Sequence, residues 1–259
     1  MRVSIVNTIS NAIDLISYTY PNMIENTGYE NYDYVMVVWE PCKEVIAWLE
    51  ERPWISVVEY NTNKFVGYVP NLRGMINLAF EEGCKLNDYV CFINTDVVFG
   101  KDWLKELMLF AEEDLIVNSV HITPIEGAHV ITRNFGLTTI DNFDMVGFDE
   151  LCNKIRYSGY LRFPVGGQSN WKSVATMPYI LHKKWWKTCG PWELVGVGQN
   201  TDPPDRRFFT RCHKAGAKFA MALGSIIYHS EGAERRSGQR PISAKGMPEE
   251  GVYRGRRSI

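Results

Sequence analysis

Residues 70–104 read PNLRGMINLAFEEGCKLNDYVCFINTDVVFGKDWL, and the fold is most legible there. Leu72, Met75, Ile76, Ala79 and Phe80 fall at helical spacing, so the segment predicts a helix with one apolar face, and Gly83 stands where it would end that helix. Tyr89 to Ile93 (YVCFI) is a short uninterrupted apolar run, as expected of a strand covered on both faces. Asn94-Thr95-Asp96 follows at its carboxyl end. Asp102 is placed to cap a further helix with Trp103, Leu104, Leu107, Phe110 and Ala111 on one side. A helix, a buried strand, a polar turn and a second helix form the repeating unit of a parallel sheet with crossover connections.

The same rhythm runs back to the N-terminus. Val3 to Val6 reads as a first strand, and Ser10 as the cap of a helix that includes Ile13 and Ile16. Tyr34 to Trp39 (YVMVVW) is a second buried strand. Pro41 suits the first turn of a helix carrying Val45, Trp48 and Leu49, which Pro53 stops. Ile55 to Tyr60 is a third strand, and this doubly wound half ends near residue 120. Beyond it the period is less regular. Glycine, proline and aromatic residues crowd FPVGGQSNW (163–171) and CGPWELVGVG (189–198), which predicts long loops. Strands are expected at Tyr179 to Leu181 and Ile226 to His229, with a helix from Arg206 to Ala215 closed by Gly216. Residues 233–259 hold Arg235, Arg236, Arg240, Lys245, Arg254, Arg256 and Arg257 with little apolar content, so they read as a mobile tail or a lid.

The totals narrow the class. The chain has 259 residues, 45% hydrophobic and 22% charged, which suits an ordinary globular protein with a full core. A formal net charge of -2 supplies no global field for capturing nucleic acid or anionic membrane. The N-terminal MRVSIVNTIS is interrupted by Asn7 and does not read as a signal peptide, and no run reaches the roughly 18 apolar residues of a transmembrane segment. The six cysteines form no C-x-x-C pair or disulfide framework, as suits a reducing compartment, so a cytoplasmic location is expected. Eight tryptophans are many for this length; such rings line sugar-binding clefts and also fill cores.

Asp96 is the first candidate for chemistry. A carboxylate just past the carboxyl end of a buried parallel strand sits where open α/β sheets bind ligands. There it suits Mg²⁺ or Mn²⁺, which take few protein carboxylates and complete their shells with phosphate oxygens and water. Asn94 can point the same way along an extended chain, although both residues also serve as ordinary turn formers.

Context decides between those readings. The ordered series Asn71, Gly83, Asn94-x-Asp96 and Trp103-Leu104 resembles the core of family-two glycosyltransferases, most closely the rhamnosyltransferase-like members that carry N-x-D. A second block is similar to the same family: Gly190-Pro191-Trp192-Glu193, Asp205, Arg211, Ala215-Gly216 and His229. Pro204 departs from it, standing where the acidic pair should begin with Glu. The stretch 121–175 matches poorly.

The resemblance implies a GT-A (Rossmann-like) α/β fold, with a mixed, mainly parallel sheet flanked by helices. Residues 1–232 would form one domain, with 1–120 the donor-binding half and 121–232 the acceptor half, ahead of the basic tail 233–259. It implies a metal-dependent, inverting transfer of a sugar from a nucleotide-sugar donor to a hydroxyl. Asp205 would be the general base, with Asp202 in reserve and helix capping as its plain alternative. Asp96 and His229 would hold Mn²⁺ or Mg²⁺, His229 being equally suited to a structural role. Donor contacts would come from Thr8 and Glu40 at the ends of the first two strands, from Asn71 and Arg73, and from Asn94, Thr95 and Asp96. Trp192 and Glu193 would face the acceptor, with Trp185 and Trp186 near them. Arg235 and Arg236 could clamp phosphate.

The family usually has Asp where Glu40 stands, so UDP-, GDP- and dTDP-sugars all stay open as donors. The acceptor would be a surface glycan; modified DNA is an alternative suggested by the basic tail and aromatic loops. A sugar-nucleotide nucleotidyltransferase is a rival, opposed by the lack of a glycine-rich, basic loop in NTISNAID after the first strand. A glycan-binding protein without turnover is another. Oligomeric state is not readable.

Overall fold

The computed structural model describes residues 1–61, 68–124, 131–157, 159–162, 177–193 and 204–230. Asp202, the 163–171 loop, Arg235, Arg236 and the 233–259 tail lie outside the described residues.

The elements run β1 (Val3–Ile9), α1 (Ile13–Glu25), β2 (Tyr32–Val38), α2 (Lys43–Glu50), β3 (Ser56–Glu59), α3 (Tyr68–Leu86), β4 (Tyr89–Phe92), β5 (Val97–Phe99) and α4 (Trp103–Met108). They continue with β6 (Leu115–Thr123), β7 (Ile131–Thr132), α5 (Met145–Ile155), β8 (Tyr160–Arg162), β9 (Tyr179–His182), α6 (Lys183–Cys189), α7 (Pro204–Lys214) and β10 (Lys218–His229). One mixed sheet has the order β3-β2-β1-β4-β9-β6-β10-β5, with β7 added to β6 and β8 to β10. β1 to β4 form the parallel half. Antiparallel β9 then joins β4 to β6, and β10 runs parallel to β6. This is the expected α/β sheet, five ladders being parallel and four antiparallel.

Two helical layers cover the sheet, and strand alternation assigns the side chains between them. Val3, Ile5, Met36, Val38 and Cys91 face α1, α2 and α4, meeting Leu15, Ile16, Val45, Trp48 and Leu107. Val6, Val35, Val37, Val90 and Phe92 face α3, α6 and α7, meeting Met75, Phe80, Trp186 and Phe208. A third cluster joins Phe148 and Cys152 of α5 to Val98 of β5 and to Ile226 and Tyr228 of β10. Among the described residues, no helix is long and apolar enough to cross a membrane.

Several local expectations change. Gly83 does not end α3, which continues to Leu86. It lets the helix lie close on the sheet, because a methyl there would come within 2.7 Å of Val6 Cγ1 and 3.2 Å of Val90 Cγ1. Ser4 Oγ uses the approach to donate to the Gly83 carbonyl at 2.8 Å. Ser10 is no cap: α1 starts after Ala12, without a capping side chain. Asp102 precedes α4 in a left-handed conformation, φ 59°, and makes no side-chain cap bond. α2 begins at Lys43, past Pro41. Gly216, at φ 100°, follows the last residues of α7 as expected.

Candidate functional site

The parallel strands β1, β2 and β4 deliver their carboxyl ends to one edge of the sheet, where open α/β folds leave a crevice. Thr8 lies there near the end of β1, buried, with its N–H donating to Asn7 Oδ1 at 2.7 Å. Glu40 follows β2, exposed, with φ 45°. A non-glycine residue in that left-handed region is uncommon and costs of order 1 kcal/mol. Asn71, 3% exposed, and Arg73 come from the first turns of α3. Asn94 is partly buried, while Thr95 and Asp96 are buried, in the turn between β4 and β5.

Asp96 meets His229 because of β5, a strand of three residues that immediately follows the turn. β5 runs antiparallel to the end of β10, pairing Val97 with His229. The Ser230 N–H donates to the Asp96 carbonyl at 3.2 Å. This ladder brings His229 Nε2 to 3.1 Å from Asp96 Oδ1. A carboxylate oxygen and an imidazole nitrogen together suit a divalent cation that accepts both donor types, Mn²⁺ more than Mg²⁺. Among the described residues there is no cluster of three or more His, Cys, Asp or Glu side chains with metal-binding geometry.

His121, near the end of β6, packs edge-on against His229 with ring centroids 5.9 Å apart. Its Nε2 is bonded to the Met177 carbonyl just before β9. Burial, with the neighbouring His229, pushes the His121 imidazole down to about 3, so it is neutral at ordinary pH. The only available sequence signal was its place in β6, a strand that polar Asn118, Ser119 and His121 disguise.

A second group assembles on the α3 and α7 side. Asp205 lies inside the first turn of α7, which begins at Pro204, so it is not the cap before Arg206; its Oδ1 accepts the Arg206 N–H at 2.8 Å. Burial pushes its carboxyl above the usual range, against the pull of Arg206 and Arg73. Arg73 Nη1 donates to the Glu193 carbonyl at 3.2 Å, linking α3 to the turn after α6. Glu193 is committed to α7: its carboxylate lies 2.8 Å from Arg207 Nε and 2.8 Å from Arg211 Nη1. Arg211 also donates to the Cys189 carbonyl at 2.6 Å and the Pro191 carbonyl at 2.8 Å. Trp192 is 4% exposed, its backbone held on both sides by the Asn77 amide at 2.8 and 2.9 Å. Trp185 and Trp186 are core residues as well.

This is the fold of GT-A glycosyltransferases, a mixed sheet between helical layers. No family model and no curated protein sequence matches the chain. Solved structures do. TarS of S. aureus (residues 1–349) superposes with a TM-score of 0.62 and 12% identity, over 90% of this chain and 61% of its own. GalNAc-T7 with UDP, GalNAc and Mn²⁺ gives 0.56 and 13% identity, over 90% and 45%. The mannosyltransferase PcManGT from Pyrobaculum calidifontis, in complex with GDP-Man and Mn²⁺, gives 0.51 and 12% identity, over 92% and 61%. The chain thus spans less than two thirds of each of the three.

Proposed function

We propose that the chain is a metal-dependent, inverting glycosyltransferase that moves a sugar from a nucleotide-sugar donor to a hydroxyl acceptor. The observation that carries this is the meeting of Asp96 and His229 at 3.1 Å, from distant parts of the sequence, at the strand edge where such a fold binds ligands. Two structural relatives hold Mn²⁺ with a nucleotide or a nucleotide sugar, the combination proposed here. Two protein groups leave room in a cation's shell for diphosphate oxygens and water. A bound cation would act as a Lewis acid toward the leaving diphosphate.

The donor's base and ribose are assigned to Thr8 and Glu40, and its diphosphate to Asn71, Arg73, Asn94 and Thr95 around Asp96. Asp205 is assigned as base. It takes the proton of the acceptor hydroxyl while that oxygen attacks the anomeric carbon, opposite the diphosphate. The bond from carbon to diphosphate breaks with its electron pair, the configuration inverts, and the proton stays on Asp205. A carboxyl held above its ordinary range by burial suits that task near neutral pH. Glu193 and Trp192 are assigned to the acceptor wall, Trp192 shaping it from behind. A glycan hydroxyl is the acceptor class proposed, and the described residues add nothing in favour of DNA.

The test is calorimetric titration with UDP, GDP and dTDP, each with and without Mn²⁺, on the wild type and Asp96→Ala. The expectation is that one nucleotide binds with Mn²⁺ and that omitting the ion or removing the carboxylate abolishes binding. Unchanged binding in Asp96→Ala, or none to the wild type, overturns the reading.

A further inference from the structure

Tyr179 is an unexpected tyrosine. It opens β9 in the middle of the sheet, paired with Phe92 of β4 on one side and Asn118 of β6 on the other. Its ring, 1% exposed, lies in a cage of hydrocarbon. Phe209 packs on it edge-on at 4.9 Å, with Phe80 stacked at 6.0 Å and Phe92 at 6.1 Å. A phenylalanine would satisfy every one of these contacts. The hydroxyl is buried and has no hydrogen-bond partner among the described residues, an arrangement that costs stability and calls for a compensating role. Burial and the nearby Asp205 carboxyl hold the phenol far above its usual range, so it stays protonated and can act as a donor.

We propose that Tyr179 is a positioning residue for Asp205, its buried hydroxyl donating a hydrogen bond to the carboxylate when that side chain turns from its own helix toward the reacting hydroxyl. Asp205 Oδ1 accepts the Arg206 N–H in the structure described, and the proposed bond forms when the carboxylate leaves that partner. Arg206 from its own helix and Arg73 from α3 act on Asp205, and Asp205 in turn raises the phenol of Tyr179 on β9, whose ring packs on Phe209, one helical turn along α7 from Asp205. Arg206 acts through its N–H and its charge and Arg73 by charge, and Tyr179 would add a directed bond from the sheet. A donor to the charged form favours that form, so in the turned side chain the hydroxyl would restrain the upward push of burial. The proposal builds on the assignment of Asp205 as base, but its central measurement does not depend on that assignment.

The measurement is the titration of the Asp205 carboxyl by carbon NMR of protein labelled at aspartate, with the resonance assigned from Asp205→Asn. In Tyr179→Phe the apparent pKa should rise by about one pH unit, as expected for one lost hydrogen bond to a carboxylate. The melting temperature should change little, since a phenylalanine ring keeps the contacts with Phe80, Phe92 and Phe209. Turnover, followed as nucleoside diphosphate release from the donor that binds, should fall several-fold near neutral pH, and its acid limb should move up with the NMR value. An Asp205 titration identical in the wild type and Tyr179→Phe overturns the proposal. If the NMR shift appears while Asp205→Asn retains full turnover, the contact stands and the assignment of Asp205 as base falls instead.

Discussion

The two groups of candidate residues are built differently. On the β1, β2 and β4 side, polar groups stand at the ends of parallel strands whose roots are buried on both faces. On the α6 and α7 side, the charged groups are engaged with one another: Glu193 holds Arg207 and Arg211, and Arg211 spans the Cys189 and Pro191 carbonyls. One side places groups by backbone, through a rigid sheet, and the other by side-chain pairing across loops. Damage should therefore differ in kind. A change at a strand end should remove a ligand contact and leave the fold intact. A change in the arginine network should loosen the turn before it touches chemistry.

The largest expected effect falls on the α7 side, at Asp205. Asp205→Asn should leave nucleotide binding unchanged and lower turnover by about 10²–10⁴-fold, the usual contribution of a general base. In the wild type, burial disfavours the charged carboxyl, so the base is protonated at a higher pH than an ordinary carboxylate. Turnover should then fall on acidification with a midpoint above about 4. Full turnover in the variant, or a midpoint at or below that value, removes Asp205 as base.

Two stability tests come next. Gly83→Ala forces a methyl against Val6 and Val90 where α3 meets the sheet, and should cost about 1–3 kcal/mol by overpacking. Denaturant unfolding reads it, and an unchanged midpoint would show that α3 can lift without penalty. Glu193→Gln leaves Arg207 and Arg211 without their carboxylate. For a partly exposed pair it should cost about 1–2 kcal/mol and weaken turnover, with nucleotide binding kept. Equal losses of binding and turnover would erase the contrast between the two sides.

The same contrast explains what the sequence disclosed. Strands buried on both faces announce themselves as apolar runs, so β1, β2 and β4 and the turn at Asp96 were legible. The resemblance to family-two glycosyltransferases supplied the fold, and the superpositions agree with it. The partnership of Asp96 with His229 was suggested by that resemblance alone. The device that makes it, β5, is three residues long and has no period to detect. β6 was hidden because Asn118, Ser119 and His121 are polar yet buried among neighbouring strands. Gly83 was read as a stop because glycine commonly follows helices, whereas here close packing requires it. Tyr179 could not be distinguished from a core aromatic until its unpaired hydroxyl was seen.

The smallest effect is expected at the opposite edge of the sheet, where the strands begin. Arg2 pairs with Asp33 at 2.7 Å on the surface, and Asn87 donates to the same carboxylate at 2.8 Å and to Ser4 Oγ at 2.9 Å. The Arg2 hydrogen bond holds the Asp33 carboxyl below its ordinary value. A group depressed by folding stabilises above its unfolded pKa, and that contribution fades as pH falls toward the folded value. Asp33→Asn should therefore lower the melting temperature slightly near neutral pH and flatten its decline below about pH 4, because the titrating group is gone. High salt should shrink the difference between the two proteins, since exposed charges are screened. Nucleotide binding should not move, because Asp33 tethers the far ends of β1 and β2 and no ligand group lies there. A binding change in Asp33→Asn would mean that strain at one edge reaches the other through β1 and β2, and the strand-end groups would then be less rigidly placed than the buried sheet implies.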